Sequence, residues 1–565
     1  MLGQIRLPKI FAGNGDWLER KQTSILSAAM IITLANLMSS VAGLIRERLL
    51  ISSFFDTPSL QQAYEAFLVA FQIPDMMFQL IVLGAVSAAF IPIFTDQRKK
   101  SKQQAFQMTN VVMSWILLVF ILASIVIAIA AEPLTALRTG SGFSSQQIKI
   151  AAHLTQFMLI AQLFFAISNF FTGMLQSFQR FIFPALAPIF YNLGIVLGVY
   201  LFGSSFGIYS AALGVIIGAS LHMLIQWPLI YKLGFRFRPQ FSLKVEGVKK
   251  LFRLMPPRVL TYGLTEVQNL ALGFFATSLG NLSFFVVRLA LRLMTIPIRL
   301  FGVPIGQASL AFLSEQAGPK EQDRFVKLLR QSLHQVSFFA LPTSVLLLIL
   351  RIPIVRLVFG AHNLPWKTTV STAKVVAILA VSIAAQALVQ TLIRAFHARK
   401  NTKTPLLLTA FSVTIYLVLS VIFVFSLNWG VLGIGVATSV AALIELGLFL
   451  ITLHKQLKTP FLTKAFFLPQ FKMLVASFCM AVFLYLPFRI FDEVIFDTSR
   501  TIELIGLTVT TSTIGTLVYL YFSALLEIKE LQLVSKILNS ALKWQRPLSK
   551  SPEFLTQNTG NETTI

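Results

Sequence analysis

Apolar runs long enough to cross a bilayer recur along the whole of this 565-residue chain, and that pattern constrains it more than any other feature. We read fourteen candidate spans, near 25–45, 66–94, 107–131, 151–176, 183–203, 207–230, 257–279, 283–313, 333–350, 368–393, 404–426, 430–452, 468–488 and 502–525. Many exceed the roughly 18 residues that mark a spanning helix. A large soluble protein is excluded on composition as well. The chain is 12% charged and 56% hydrophobic, where soluble domains carry about twice that charge fraction.

The second half of the chain repeats the first. Gly84-Ala85-Val86-Ser87-Ala88-Ala89-Phe90 returns as Gly306-Gln307-Ala308-Ser309-Leu310-Ala311-Phe312. Gly207 to Gly214 pairs with Gly430 to Ala437, and Phe178 to Pro184 pairs with Phe396 to Pro405 across a short insertion. Three matches in the same order at one offset define a tandem repeat, as in transporters that hold their site between two similar halves.

Charge placement orients the chain. The net charge is +25, which could suggest a nucleic-acid binder. When the segments between spans are assigned alternately to two sides, and Arg46 and Arg48 are taken with the first span that they close, 32 of the 47 Lys and Arg fall on the side of the N-terminus and 7 on the other. That asymmetry follows the positive-inside rule and predicts both termini in the cytoplasm. The basic loops also suit anionic headgroups, so nucleic acid is not expected as a partner.

These readings predict an all-α integral membrane protein of about fourteen transmembrane helices. Two six-helix lobes would be related by a pseudo-twofold along the membrane normal, because an even repeat starts each half on the same side. The expected divisions are a basic lead-in at 1–23, an N-lobe at 24–230, a basic connection at 231–256, a C-lobe at 257–453, an added helix pair at 466–525 and a cytoplasmic, partly disordered tail at 526–565. The added pair could pack on the lobes, contact a partner or bind a lipid tail. One cysteine, Cys479, permits no disulfide within the chain and no cysteine-based metal site. The six histidines form no metal motif, and no nucleophile–base pair or nucleotide loop is visible. No enzyme, metal or cofactor is therefore expected.

Ionisable residues inside spans cost at least about 2.5–3.5 kcal/mol at a helix centre, so their retention needs a reason. Arg46-Glu47-Arg48 closes the first span and reads either as a cationic group facing a central cavity or as a helix end reaching the headgroups. The eighth span carries Arg288, Arg292 and Arg299. Uniform rotation of about 100° per residue sets them on one stripe, about 16 Å long, in an otherwise apolar helix. Such a stripe suits a wet, anion-binding cavity, since the planar guanidinium binds phosphate bidentately. An arginine–acid network that only locks helices together is the plainer alternative. Glu65, Asp75 and Glu266 could pair with these arginines or bind Na⁺ or H⁺ for coupling, with the membrane potential as another drive. Glu445 reads as a helix–helix contact. Pro74, Pro256-Pro257, Pro297, Pro304 and the Gly302/Gly306 pair could kink their spans.

At these residues the chain resembles the MurJ/MviN family, the lipid II flippases of the MOP transporter superfamily. The resemblance is carried by Ala66-Phe67-Leu68-Val69-Ala70-Phe71-Gln72-Ile73-Pro74 and Gly84 to Pro92, by Gly43-Leu44-Ile45-Arg46-Glu47, by Arg292-Leu293-Met294-Thr295-Ile296-Pro297, by Gln179 to Pro188 and by Lys403-Thr404-Pro405. It covers the spans in order. It implies movement of lipid II, the undecaprenyl-diphosphate-linked peptidoglycan precursor, from the inner to the outer leaflet of the bacterial cytoplasmic membrane by alternating access. It also implies a cationic cavity in which Arg46 and Arg292 match family arginines and Glu47 matches the acid beside one of them. Glu65 stands where the family usually has Asp. Ser40 and Phe78 stand where it has arginines, Thr295 replaces an acid, and Arg288 and Arg299 are additional. The substrate-binding set expected is therefore Arg46, Arg288, Arg292 and Arg299, with Glu47, Glu65 and Glu266 orienting them or coupling an ion.

Two other functions remain open on sequence. One is a related exporter of polysaccharide-lipids or drugs, although a drug exporter would favour an acidic or aromatic cavity. The other is a non-transporting scaffold for cell-wall synthesis proteins, suggested by the missing arginines. Expected partners are lipid II or a similar polyprenyl-diphosphate lipid, the membrane itself, and cell-wall synthesis proteins as candidates.

Overall fold

The computed structural model describes residues 25–83, 90–280, 282–316, 318, 321–360, 364–457, 459–496 and 500–534. The lead-in at 1–23, the tail beyond 534 and Gly84–Ala89 of the first repeat motif lie outside them. Every regular element among the described residues is helical.

Ten helices are long and apolar enough to cross a membrane, or eleven if Trp366–Ala380 and Ile383–Ala398, bent by 48° at a short break, form one span. Length and apolarity alone thus identify ten or eleven of the expected spans among the described residues. The helices Ile25–Phe54, Pro256–Ser278 and Ser283–Pro297 are not among the ten. These carry Arg46, Glu47, Glu266, Arg288 and Arg292. The first of them runs to Phe54, so Arg46-Glu47-Arg48 lies within a helix and not at its end.

Backbone conformation repeats where the sequence does. Gly207 and Gly430, paired in the repeat, both turn with positive φ, 51° and 57°, just before a helix. Gln179 and Lys400, in the second pair of matching stretches, both have φ of 59°. A left-handed residue costs least as glycine, so the glycines mark these turns in sequence and Gln179 and Lys400 do not. π-helical turns occur at Gln79–Leu83 and at Ile298–Gly302, each a few residues before one of the two matching glycine-rich motifs in sequence.

Packing separates an interior from a wide apolar rim. One core cluster draws on both halves and centres on Phe55, Tyr64, Phe67, Phe284 and Phe285. Its Phe55 and Phe285 rings lie 4.7 Å apart. Another cluster uses buried residues from Met77 to Leu251 only, and a third uses Leu313 to Phe466 only. The final pair, Lys464–Ile490 and Thr501–Leu525, packs on Gln322–Ile349 through Phe338, Met473 and Tyr519. The Tyr519 hydroxyl donates to the Phe338 carbonyl at 2.9 Å. Large apolar side chains such as Ile129, Leu201, Phe478 and Ile502 stand exposed on the outside, where hydrocarbon meets them without the cost that water would impose.

Two helices, Ile182–Phe206 and Tyr209–Leu224, cross closely because glycines face glycines. A Cβ on Gly198 would sit 2.2 Å from the Cα of Gly214, and one on Gly194 would sit 2.2 Å from the Cα of Gly218. Small residues let backbones approach where lipid supplies no hydrophobic drive between helices. Gly198→Ala is therefore expected to destabilise the detergent-solubilised protein by about 1–3 kcal/mol, the range for overpacking. Gly203→Ala, whose new methyl would meet only Val199 at 3.9 Å, should leave the melting temperature unchanged or raised. Equal thermal stability of the two variants would contradict this crossing.

Candidate functional site: a shared carboxylate beneath a closed end

The Glu47 carboxylate is the centre of the candidate site. It is 3% exposed, and its Oε2 accepts from Arg46 Nη2 at 3.2 Å and also from Arg292 Nη1. Its Oε1 accepts from the Tyr64 hydroxyl at 2.9 Å. Arg46 donates through Nη1 to Asn192 Oδ1 at 3.1 Å, while Asn192 donates to the Pro188 carbonyl at 2.9 Å and so holds its own orientation. Four helices meet here: Ile25–Phe54, Pro58–Ala70, Ile182–Phe206 and Ser283–Pro297.

Gly43 makes room for this contact. Arg292 Nη2 donates to the Gly43 carbonyl at 3.4 Å, and a Cβ on Gly43 would lie 3.2 Å from the same nitrogen. One carboxylate between two guanidiniums leaves the group with one net positive charge. The Arg46 side chain is 14% exposed and that of Arg292 is 34% exposed, so Arg292 is the more accessible of the two.

The other expected residues are distributed around this centre. Arg288 is exposed and lies within Coulombic reach of Asp75 and Glu266. Asp75 accepts from Gln162 Nε2 at 2.7 Å, and Glu266 accepts from Asn269 Nδ2 at 3.2 Å. Arg299 is exposed beside Leu300, inside the π-helical turn Ile298–Gly302 that follows Pro297. A π turn departs from 3.6 residues per turn, so the single stripe expected from uniform rotation is interrupted between Arg292 and Arg299.

Glu65 is placed away from the arginines. Its Oε1 accepts from the backbone N–H of Phe284 at 3.1 Å and of Phe285 at 3.4 Å, and its Oε2 accepts from Gln147 at 3.3 Å. It therefore satisfies the open N–H groups at the start of Ser283–Pro297, the helix that carries Arg288 and Arg292. A carboxylate is favoured there by the helix dipole.

Close backbone contacts seal the same end of the bundle. Gly140 N–H donates to Thr277 Oγ1 at 2.8 Å. A Cβ on Gly142 would lie 2.4 Å from the nitrogen of Gly280. Arg138 reaches Gln72 and the Val69 carbonyl. These contacts join the connection after Ala131–Arg138 to the end of Pro256–Ser278, one from each half of the chain.

Sequence reasoning missed two participants, Tyr64 and Asn192, which carry no charge and fit no pattern. Away from this centre, Arg394 lies in the helix Ile383–Ala398 and not between spans, and its guanidinium abuts Gly306 of the repeat motif.

The family model described as lipid II flippase MurJ matches residues 60–502. A protein named probable lipid II flippase MurJ from Thermotoga maritima is 28% identical over 521 residues, covering 90% of this chain and 98% of its own. A probable lipid II flippase MurJ from Bdellovibrio bacteriovorus is 26% identical over 499 residues, covering 87% and 93%. A solved structure described as lipid II flippase MurJ in an inward closed conformation matches with a TM-score of 0.71 at 24% identity, covering 88% of this chain and 98% of that one. An inward-facing MATE family multidrug transporter of the MOP superfamily matches with a TM-score of 0.60 at 14% identity, covering 76% of this chain and 100% of that one.

The geometry predicts strong coupling across the carboxylate. Glu47→Ala leaves two guanidiniums without their counter-charge and should destabilise the protein by about 3–5 kcal/mol. Arg292→Ala added to it should cost less than the sum of the single changes, with an interaction energy of about 0.5–3 kcal/mol. Unfolding of the purified single and double variants in detergent measures this, and strict additivity would show that the two residues do not pair.

Proposed function

The chain belongs to the lipid II flippase MurJ family, and from that premise we propose that Arg292, backed by Arg46 and flanked by Arg288, receives the diphosphate of lipid II. The protein is a multi-pass membrane transporter of the bacterial inner membrane, and its cargo is lipid II. The observation that carries the residue assignment is the shared Glu47 carboxylate. It holds two guanidiniums in an apolar surrounding and leaves a net positive charge with free donors on Arg292.

A diphosphate can replace Glu47 as the partner of Arg292 with better geometry, because each phosphoryl group offers several acceptor oxygens to the planar fork. Arg46, held by Asn192, stays in place and supplies field. Asp75 and Glu266 balance Arg288 until an anion arrives. Arg299 would meet the substrate nearer the opposite end of its helix. The polyprenyl tail remains in lipid, since each CH₂ is favoured there by about 0.8 kcal/mol.

The charge bias supports a cytoplasmic location for both termini and for the basic connections. On that orientation the end sealed by Glu65, Gly140 and Gly142 is the outer one, and the structure corresponds to a state closed to the outside. Transport then requires Gly142 to part from Gly280 and Glu65 to release Phe284 and Phe285. Competition between substrate and Glu47 for Arg292 links binding to that separation.

Complementation of a conditional lipid II flippase mutant tests the residue assignment. Arg292→Ala should abolish growth while the protein still inserts and folds, and Arg292→Lys should restore it only partly. If Gln at positions 288, 292 and 299 together supported full growth and full flipping of a fluorescent lipid II, the anion site would be refuted and the scaffold reading would gain.

Alternating access has its own test. Gly142→Leu places a side chain against the Gly280 backbone and should hold the outer end open. In a Cys479→Ser background, Thr295→Cys should then react with a membrane-impermeant thiol reagent from outside several-fold faster than without Gly142→Leu. No change in labelling would mean that this contact is not the outer closure.

A further inference from the structure

Three stretches far apart in sequence converge on a second cationic cavity, distinct from the Glu47 group. They are the start of Gln322–Ile349, the start of Lys464–Ile490 and the segment that follows Thr501–Leu525. The cavity measures about 620 Å³. That lies within the range of small-ligand sites, about 300–1,000 Å³. The alternating charge count assigns all three chain ends to the same, cytoplasmic side.

Its walls carry five basic side chains against two carboxylates. Lys327 and Arg330 come from the first stretch, Lys464 and Lys472 from the second and Lys529 from the third. The carboxylates are Glu527 and Glu530, and Glu530 is engaged by His334 at 3.6 Å. Two of the cations are fixed by backbone carbonyls. Lys472 Nζ donates to Leu526 O at 2.7 Å, and Arg330 Nε donates to Phe461 O at 3.1 Å. Among the described residues Lys327, Lys464 and Lys529 make no hydrogen bond through their ammonium groups, and all three are exposed.

A basic loop solvated by water would not need this arrangement. Here five basic side chains line one concave space with only two carboxylates, so the cavity carries an excess of positive charge that a bound anion would balance. Leu468 lines the same space and is 44% exposed, so the cavity opens beside an apolar lipid-facing surface.

We propose that this cavity is a second anion site that takes a phosphate group, supplied either by the headgroup of an anionic phospholipid or by free phosphate. Bound there, the anion bridges the final helix pair to Gln322–Ile349 from the membrane surface, while Phe338, Met473 and Tyr519 join them within it. The site stands apart from the proposed flipping path and does not depend on it.

Native mass spectrometry of the full chain, titrated separately with phosphatidylglycerol, phosphatidylcholine and inorganic phosphate, tests the proposal. The wild type should bind phosphatidylglycerol in preference to phosphatidylcholine, or bind inorganic phosphate. Retention of phosphatidylglycerol in excess phosphate identifies the headgroup as the source, and its displacement identifies the free anion. Lys327→Gln with Lys529→Gln removes two exposed cations that hold no other residue. It should weaken binding about 30-fold, at about fivefold for each charge, with an unchanged melting profile. Arg292→Ala should leave this binding intact. Equal binding of the two lipids without phosphate binding, or an unaltered affinity in the double variant, would overturn the site.

Discussion

One carboxylate decides how this bundle can be assembled. Arg46 and Arg292 sit in helices that are otherwise apolar, and each alone would be costly in hydrocarbon. Glu47 lies between them, so removing it leaves two charges to be accommodated instead of one. Its Oε1 accepts from Tyr64, and Arg46 places a further donor on Asn192. The result is a buried group whose members come from four helices and from both halves of the chain. Such a group fixes register between helices more than it adds stability, because the desolvation of the ions opposes their attraction. That balance fits the proposed competition, in which an incoming anion takes the place of Glu47 on Arg292.

The closed end depends on a second carboxylate used differently. Glu65 binds no arginine and instead receives two backbone N–H groups at the start of the arginine-bearing helix. A helix start needs such acceptors, and supplying them from another helix makes the position of the second helix part of the closure. The glycines at 140 and 142 extend that logic to the backbone, since a methyl group at either would meet Ser278 or Gly280. Closure therefore rests on short polar contacts and bare backbone, which separate at less cost than an interdigitated apolar surface. The apolar cluster of Phe55, Tyr64 and Phe285 lies directly beside it, and its rings have to move with the helices that bear them.

Much of this was legible in the chain. The apolar runs, the tandem repeat and the isolated charges at Arg46, Glu47, Arg288 and Arg292 pointed to a membrane transporter with a cationic centre. The repeat proved readable down to the backbone, because glycine at 207 and 430 is what a positive φ selects. Other features were hidden for physical reasons. Tyr64 and Asn192 act through single hydrogen bonds, which leave no periodic trace. The π turn at Ile298–Gly302 displaces Arg299 from the stripe that uniform geometry predicts, and apolar residues alone do not announce it. Glu65 looked like a partner for arginine because sequence shows charge and not the unpaired N–H groups of a neighbouring helix. The helix that carries Arg288 and Arg292, Ser283–Pro297, is 15 residues long and so falls short of a single span by length, not by polarity.

The departures from the family pattern follow the same electrostatic reasoning. Phe78 stands where the resemblance expects an arginine, and its ring packs against Phe165 with centroids 6.2 Å apart. A charge there would have to be desolvated among aromatic rings. Arg288 has no counterpart in that pattern, and it faces the carboxylates of Asp75 and Glu266, the first of them one turn before Phe78. On this reading the positive charge lost from the second span is supplied across the interface by the eighth. The two arginines missing at Ser40 and Phe78 are then matched in number by Arg288 and Arg299, and the positive charge shifts towards the second half. Under the alternating access proposed above, an arginine on the eighth span would move with that helix and not with the second span.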